Sequence, residues 1–231
     1  MITVLCVRFG TRYGRDYVER LRNMVARHLT VPYEFVCLTD DPTHIDGVRN
    51  IVMPVQSYSR LWWHKVHMFD PSLGIRNKIL YFDLDVVIHA NIDKLVEFED
   101  NSLYGIRDFN RKFHASWDRL NSSAMSWVGG EHSDIWFKFN DNSSAVTQRM
   151  PGDQDWIWAT AKDRIKYWPD NWIMSYKWEI RGREELVTQG SKKKFVEVKD
   201  PYVPSDCSVT VFHGEPKPQD VQDKFVVDNW K

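Results

Sequence analysis

Cysteine is scarce in this 231-residue sequence: only Cys6, Cys37 and Cys207 occur, and none forms a CxxC pair. An odd number, with two of the three in apolar strand-like runs, argues against a disulfide framework. Reduced, buried thiols in a cytoplasmic setting are expected instead. Long apolar runs are also missing: nothing approaches the ~18 residues of a membrane span, so no transmembrane segment is expected. Met1-Ile2-Thr3-Val4-Leu5-Cys6-Val7 has no basic stretch before it and no small-residue cleavage site after it, so it reads as a first strand rather than a leader. Charge of one sign is absent too. The 31 Lys and Arg against 32 Asp and Glu leave a formal net charge of -1, without the basic excess that nucleic-acid binding uses. There is no internal repeat and no low-complexity linker.

What is present suits one large α/β domain with a substantial core: 42% of residues are hydrophobic and 27% charged. Ile2 to Val7 is apolar, Asp16 to His28 has helical spacing with Tyr17, Leu21, Met24 and Val25 on one face, and Tyr33 to Leu38 is a second strand. Strand, helix, strand favours a mainly parallel sheet covered by helices. Ile51 to Val55 is a further strand candidate, and Leu61 to Phe69 has a helical pattern around Lys65. Lys78 to Phe82 is apolar without alternation, as expected of a strand buried on both faces. The second half is less regular, with strands near Leu103–Ile106, Ala124–Val128 and Ser208–Phe212, helices at Ser133–Phe139 and Asp155–Ala161, and a polar, basic loop or hairpin over 181–200. Eleven tryptophans either pack the core or stack on sugar faces. Trp156, Trp158, Trp168, Trp172 and Trp178 concentrate in the second half.

The apolar strand runs straight into Asp83-Leu84-Asp85. Two carboxylates one residue apart at the carboxyl edge of a buried strand can converge on a hard cation such as Mn²⁺ or Mg²⁺, bridged to a diphosphate. Two other readings compete. One Asp can cap the following turn. Alternatively, Asp83 is the nucleophile of a haloacid-dehalogenase-like phosphatase, with Gly152-Asp153-Gln154-Asp155 as a later acidic motif. Against the latter, Gln148-Arg149-Met150-Pro151 is no apolar strand, and Asp83 lies far from the N-terminus. Lys65, just before this strand, and the segment Val211-Phe212-His213-Gly214-Glu215-Pro216-Lys217-Pro218 add the parts of a phosphate clamp. An imidazole can ligate a metal, a glycine admits a phosphate to the backbone, and a lysine supplies charge. A non-catalytic sugar- or nucleotide-binding module is a further alternative.

Thr11-Arg12-Tyr13, Lys65, Tyr81-Phe82-Asp83-Leu84-Asp85, Asn121-Ser122-Ser123 with Gly152-Asp153-Gln154, and His213 to Pro218 occur in an order that resembles GT-A fold glycosyltransferases of family 8, the glycogenin and bacterial galactosyltransferase type. The resemblance spans positions 11 to 218. It implies a single GT-A domain over 1–231, with a nucleotide-binding half (1–100), a donor-sugar and acceptor half (101–218) and a C-terminal tail (219–231). It implies a UDP-sugar donor, Mn²⁺ (or Mg²⁺), retention of anomeric configuration and a hydroxyl acceptor (glycan, lipid-linked glycan, protein or small molecule). By the same resemblance, Thr11, Tyr13 and Asp40 hold the base, and Asp83, Asp85 and His213 ligate the metal. Lys65, Lys217 and Gly214 face the diphosphate or donor sugar. Asp108, Asn121, Ser122, Asp153 and Gln154 surround the hexose, with Asp153 and Gln154 as the catalytic candidates. One departure stands out: relatives place two residues between the His and the Gly of the last motif, whereas His213 and Gly214 are adjacent.

Overall fold

The computed structural model describes residues 1–58, 60–181, 183–189, 192–198 and 201–231, the two stretches between 183 and 198 by their backbone. In chain order, β1 (Ile2–Arg8), α1 (Arg15–His28), β2 (Tyr33–Thr39), β3 (Arg49–Val52) and a 3-10 helix (Leu61–Phe69) lead to β4 (Lys78–Phe82), β5 (Val86–Ile88) and α2 (Asp93–Glu97). Then come β6 (Leu103–Arg107), β7 (Leu120–Val128), α3 (Asp134–Asn140), α4 (Ser143–Arg149) and α5 (Asp153–Ala161). The chain continues through β8 (Ile165–Tyr167), β9 (Ile173–Ser175), β10 (Arg183–Gln189), β11 (Lys192–Val198), β12 (Val209–Val211) and α6 (Lys224–Asn229).

The main sheet has seven strands in the order β3-β2-β1-β4-β7-β6-β8. β1, β2, β3 and β4 run parallel, whereas β7 is antiparallel to both β4 and β6. A smaller sheet, β5-β12-β9, brings the strand after Asp85 beside the one that leads into His213. β10 and β11 form an antiparallel pair within the 181–200 stretch.

Period-2 side-chain alternation feeds two cores, one on each face of the main sheet. Val4, Cys6, Leu80 and Phe82 join α1 through Val18, Leu21, Met24 and Val25. Leu5, Ile79 and Tyr81 join Trp63, Val66, Trp127 and Ile135 on the other face. Burial on both faces explains why β4 reads as an unbroken apolar run. α1 carries Asp16 in its first turn and Arg27 and His28 in its last, as the helix dipole favours.

The C-terminal tail is not loose. α6 is anchored to α1 through Arg20 Nη1 donating to the Trp230 carbonyl (3.1 Å) and through the Tyr17–Trp230 ring contact. Leu61–Phe69 is a 3-10 helix rather than an α-helix. All three cysteines are buried and free, and among the described residues no helix is long and apolar enough to cross a membrane.

Candidate active site

After β1 the chain turns outward to β2 and β3, then returns to the opposite side of β1 as β4. The carboxyl ends of the parallel pair β1 and β4 therefore flank a topological switch point, where open α/β sheets bind ligands. A cleft of about 360 Å³ opens there. Arg12, Tyr13, Lys65, Asp83, Asp85 and Asp153 line it, with Arg60 and Trp62 at its aromatic, basic side. Trp62 is 42% exposed.

Two ammonium–carboxylate pairs underlie the cleft: Lys65, Asp83, Asp85 and Asp153 line it, and Lys217 sits behind Asp85. In the first, Asp83 continues the β4 face of Ile79 and Tyr81, toward the 3-10 helix that carries Lys65. Lys65 Nζ lies 2.7 Å from Asp83 Oδ1 and 3.5 Å from Asp153 Oδ2, donates to Ser122 Oγ (2.9 Å), and sits 5.1 Å from the centre of the Tyr81 ring. Ser122 Oγ donates onward to Asp153 Oδ2 (3.1 Å), and the Tyr81 hydroxyl donates to Asp83 Oδ1 (2.6 Å). Burial alone would lower the Lys65 ammonium, but Asp83 and Asp153 outweigh it and hold it above its ordinary value. Asp153 is raised, chiefly by burial and against the pull of Lys65.

A bulge aims Ser122. Gly105 pairs with Met125 but Ile106 pairs with Asn121, so residues 122–124 of β7 have no partners on β6. Bulges of this kind redirect side chains beside active sites.

In the second pair, Lys217 Nζ lies 2.6 Å from Asp85 Oδ2, donates to the Phe212 carbonyl (3.2 Å), and sits 5.8 Å from the centre of the Tyr13 ring. The Tyr13 hydroxyl donates to the same Asp85 oxygen (2.9 Å). Burial and the neighbouring Asp83 raise Asp85, while Lys217 and Tyr13 pull it down; the net direction is up. Tyr13 is likewise raised, by burial first and Asp85 second.

A polar shell continues from the first pair. Gln154 accepts from the Ser122 amide (3.3 Å) and donates to Asp108 Oδ2 (3.4 Å), and Asp108 Oδ1 accepts from Trp117 Nε1 (3.1 Å). Asp153 and Gln154 open α5 behind Gly152. Asn121 is turned onto its own strand, accepting from the Ser123 amide (3.0 Å). Asp40 accepts from the Gly10 amide through both oxygens (3.2 and 3.1 Å) and so fixes the left-handed turn that follows β1, where Gly10 has φ 68°. Thr11 is exposed beyond that turn.

His213 does not line the cleft. Its Nε2 is 2.7 Å from Ser175 Oγ, and its ring stacks on Phe109 (5.1 Å) and meets Trp178 edge-on (4.6 Å). Burial, helped by Lys177, brings it down to about 4. Gly214 follows at φ 72°, where an added Cβ would stand 2.9 Å from Lys177 Nζ.

The residues present do not fit a divalent-metal site of three protein ligands. Among the described residues no three His, Cys, Asp or Glu side chains are grouped to hold an ion. Each acidic residue of the Asp83-Leu84-Asp85 turn is already charge-paired with a buried lysine. A doubly charged ion about 4 Å from either ammonium would meet a repulsion of about 8 kcal/mol at an effective dielectric constant of about 20. The carboxylates still attract such an ion, so it would have to displace the ammoniums from Asp83 and Asp85 to bind there.

Sequence reasoning left Arg60 and Trp62 without a role, although both border the Lys65 segment. In the sequence Arg12 stands out only as the neighbour of Tyr13. The Arg12 guanidinium lies over the Tyr13 ring (5.7 Å) and that of Arg60 over Trp62 (5.4 Å). Neither has an ion-pair partner among the described residues.

No family model matches the sequence, and no curated protein matches it. Solved structures do. An active-site mutant of LgtC shares 13% identity at a TM-score of 0.65 over 98% of this chain and 93% of that one. The fold is that of the GT-A glycosyltransferases. The galactosyltransferase LgtC in complex with donor and acceptor sugar analogues aligns at 15% identity, a TM-score of 0.61, and 94% of this chain and 88% of that one. GlyE of Streptococcus pneumoniae TIGR4 aligns at 16% identity and a TM-score of 0.56, with 75% of this chain against 47% of GlyE. The bifunctional glycosyltransferase WbbM aligns at 12% identity and a TM-score of 0.64, with 99% of this chain against 49% of WbbM. The chain thus spans about half of GlyE and WbbM and nearly all of LgtC. At these identities the likeness establishes the fold alone.

Proposed function

We propose that the protein transfers a hexose from a UDP-sugar to a hydroxyl acceptor with retention of anomeric configuration. The observation that carries this reading is the acid–lysine cluster at the switch-point cleft, with Lys65 held between Asp83, Ser122 and Asp153 and Lys217 behind Asp85. A cleft of this size with convergent charged groups and an aromatic wall suits a nucleotide sugar. LgtC, a galactosyltransferase of the same fold seen with donor and acceptor sugar analogues, supports the same substrate classes.

In this reading Lys217 donates to the departing diphosphate and Lys65 stabilises it through its charge alone, meeting the largest electrostatic demand of the reaction. Tyr13 offers its ring to the base, and Arg12 and Arg60 add charge at the phosphates. The bond from the anomeric carbon to the diphosphate oxygen breaks, the acceptor oxygen bonds to that carbon from the same side, and its proton passes to the diphosphate. Asp153 and Gln154 face the developing positive charge on the sugar. The covalent route, with Asp153 as nucleophile, uses the same residues.

The test is UDP release from a panel of UDP-hexoses, with and without candidate acceptors. One donor should be turned over by the native protein, and the double variant Asp83→Ala/Asp85→Ala should lose that turnover. Unchanged hydrolysis in the double variant would refute the assignment, and binding without any turnover would point to a binding module.

A further inference from the structure

We infer that Lys217 is a resident cation that takes the place of a divalent ion at the Asp83-Leu84-Asp85 turn, so that the donor's diphosphate binds without added metal. The inference rests on the UDP-sugar reading above and concerns how that donor's charge is met.

The position of Lys217 is built rather than incidental. Its backbone amide donates to Asp220 Oδ2 (3.0 Å), and the adjoining Gln219 accepts from the Tyr17 hydroxyl on α1 (2.6 Å). The residue is only 7% exposed. The C-terminal segment is thus fastened to the first helix on one side and delivers a buried ammonium to Asp85 on the other.

Donor counting shows what each ammonium has left. A lysine ammonium carries three N–H donors. Those of Lys65 face Asp83, Ser122 and Asp153. Lys217 directs two, at Asp85 and the Phe212 carbonyl, and its third N–H has no hydrogen-bond partner among the described residues. Charge counting agrees. Three carboxylates (Asp83, Asp85, Asp153) against two buried ammoniums leave a single uncompensated negative charge in this cluster. Arg12 and Arg60 line the same cleft and more than offset it. The count comes to one net positive charge, supplied by side chains rather than by an added ion. The imidazole expected to complete a metal site is engaged with Ser175 instead.

Calorimetric titration of UDP into the full chain, once in EDTA and once with MnCl₂, tests this. Native protein should bind UDP with affinities that differ by less than about tenfold between the two buffers. Lys217→Met should bind at least about tenfold more weakly in EDTA, as expected when one partner of a buried charge contact is removed, and Lys217→Arg should recover part of that loss. UDP binding at least about tenfold weaker in EDTA than with Mn²⁺ would overturn the inference alone, as would undiminished binding by Lys217→Met. If Lys217→Met does not fold, the two titrations of native protein still decide. No UDP binding in either buffer would sink the donor reading itself, and the inference with it.

Discussion

The two buried lysines of the Asp83-Leu84-Asp85 turn look equivalent by charge but are held in different ways. Lys65 sits on a 3-10 helix inside the main body, pinned between two carboxylates and a serine that a bulge turns toward it. Lys217 arrives from the C-terminal segment and touches one carboxylate, one carbonyl and one aromatic face. The first holds the cluster together by satisfying acids that would otherwise be buried and repelling one another. The second backs Asp85 and has two hydrogen-bond partners among the described residues. In this account the fold depends on Lys65 and the ligand depends on Lys217.

The largest effect should come from breaking the first pair. Lys65→Met leaves Asp83 and the buried Asp153 without their counter-ion, and stranding a buried charge costs about 3 to 5 kcal/mol. Thermal denaturation should show a drop of roughly 10 °C for a chain of this length. Lys217→Met should lower the midpoint much less, because only Asp85 loses a partner and Tyr13 still donates to it. Equal drops would erase the distinction between the two lysines.

Asp153→Asn sharpens the comparison from the acid side. The amide keeps the shape, and Lys65 keeps Asp83, so the fold should survive while UDP-hexose turnover falls about a hundredfold, with UDP binding little changed. Turnover within a factor of two or three of native would remove Asp153 from the reaction.

The histidines offer a pH test. His67, on the helix that carries Lys65, and His213, near Lys217, are both brought down to about 4 mainly by burial, as is His89. In the unfolded chain each takes a proton below about 6.5. The folded chain refuses it until about 4, so the unfolded state binds more protons between these values, and stability is lost as pH falls through that window. Asp85 and Asp153, raised in the fold, work in the opposite sense and soften the slope. The denaturation midpoint should be level just above pH 6.5 and decline toward pH 4.5. A midpoint that rises on acidification would mean that the buried carboxylates outweigh the histidines.

The smallest effect belongs to Tyr13→Phe, which deletes one hydrogen bond to Asp85 and keeps the ring beside Lys217. A loss of about 1 kcal/mol in stability is expected, with UDP affinity falling less than in Lys217→Met. A larger loss of UDP affinity than in Lys217→Met would make the tyrosine, not the lysine, the ligand's main contact on that side.

Much of the first half was legible in the sequence because local pattern and tertiary role coincide there. An unbroken apolar run is what a strand covered on both faces must be, so β4 and the acids after it could be placed, and Lys65 with them. Non-local geometry was less accessible. Apolar spacing cannot separate the 3-10 helix of Leu61–Phe69 from an α-helix. The bulge that aims Ser122 depends on how β6 and β7 align. The Asp85–Lys217 contact spans most of the chain and depends on the docking of α6, which the sequence presents only as a short polar tail. The adjacency of His213 and Gly214 was a readable feature, but the engagement of the imidazole with Ser175 depends on β9, far away in sequence.

The most direct test of glycosyl transfer at this cleft is UDP release from UDP-hexoses by the native protein and by Lys217→Arg and Asp153→Asn. Native protein should turn over one donor, Lys217→Arg should retain a measurable part of that rate, and Asp153→Asn should lose it while still binding UDP. Equal UDP release by native protein and Asp153→Asn, or none from any UDP-hexose by native protein, would contradict the account.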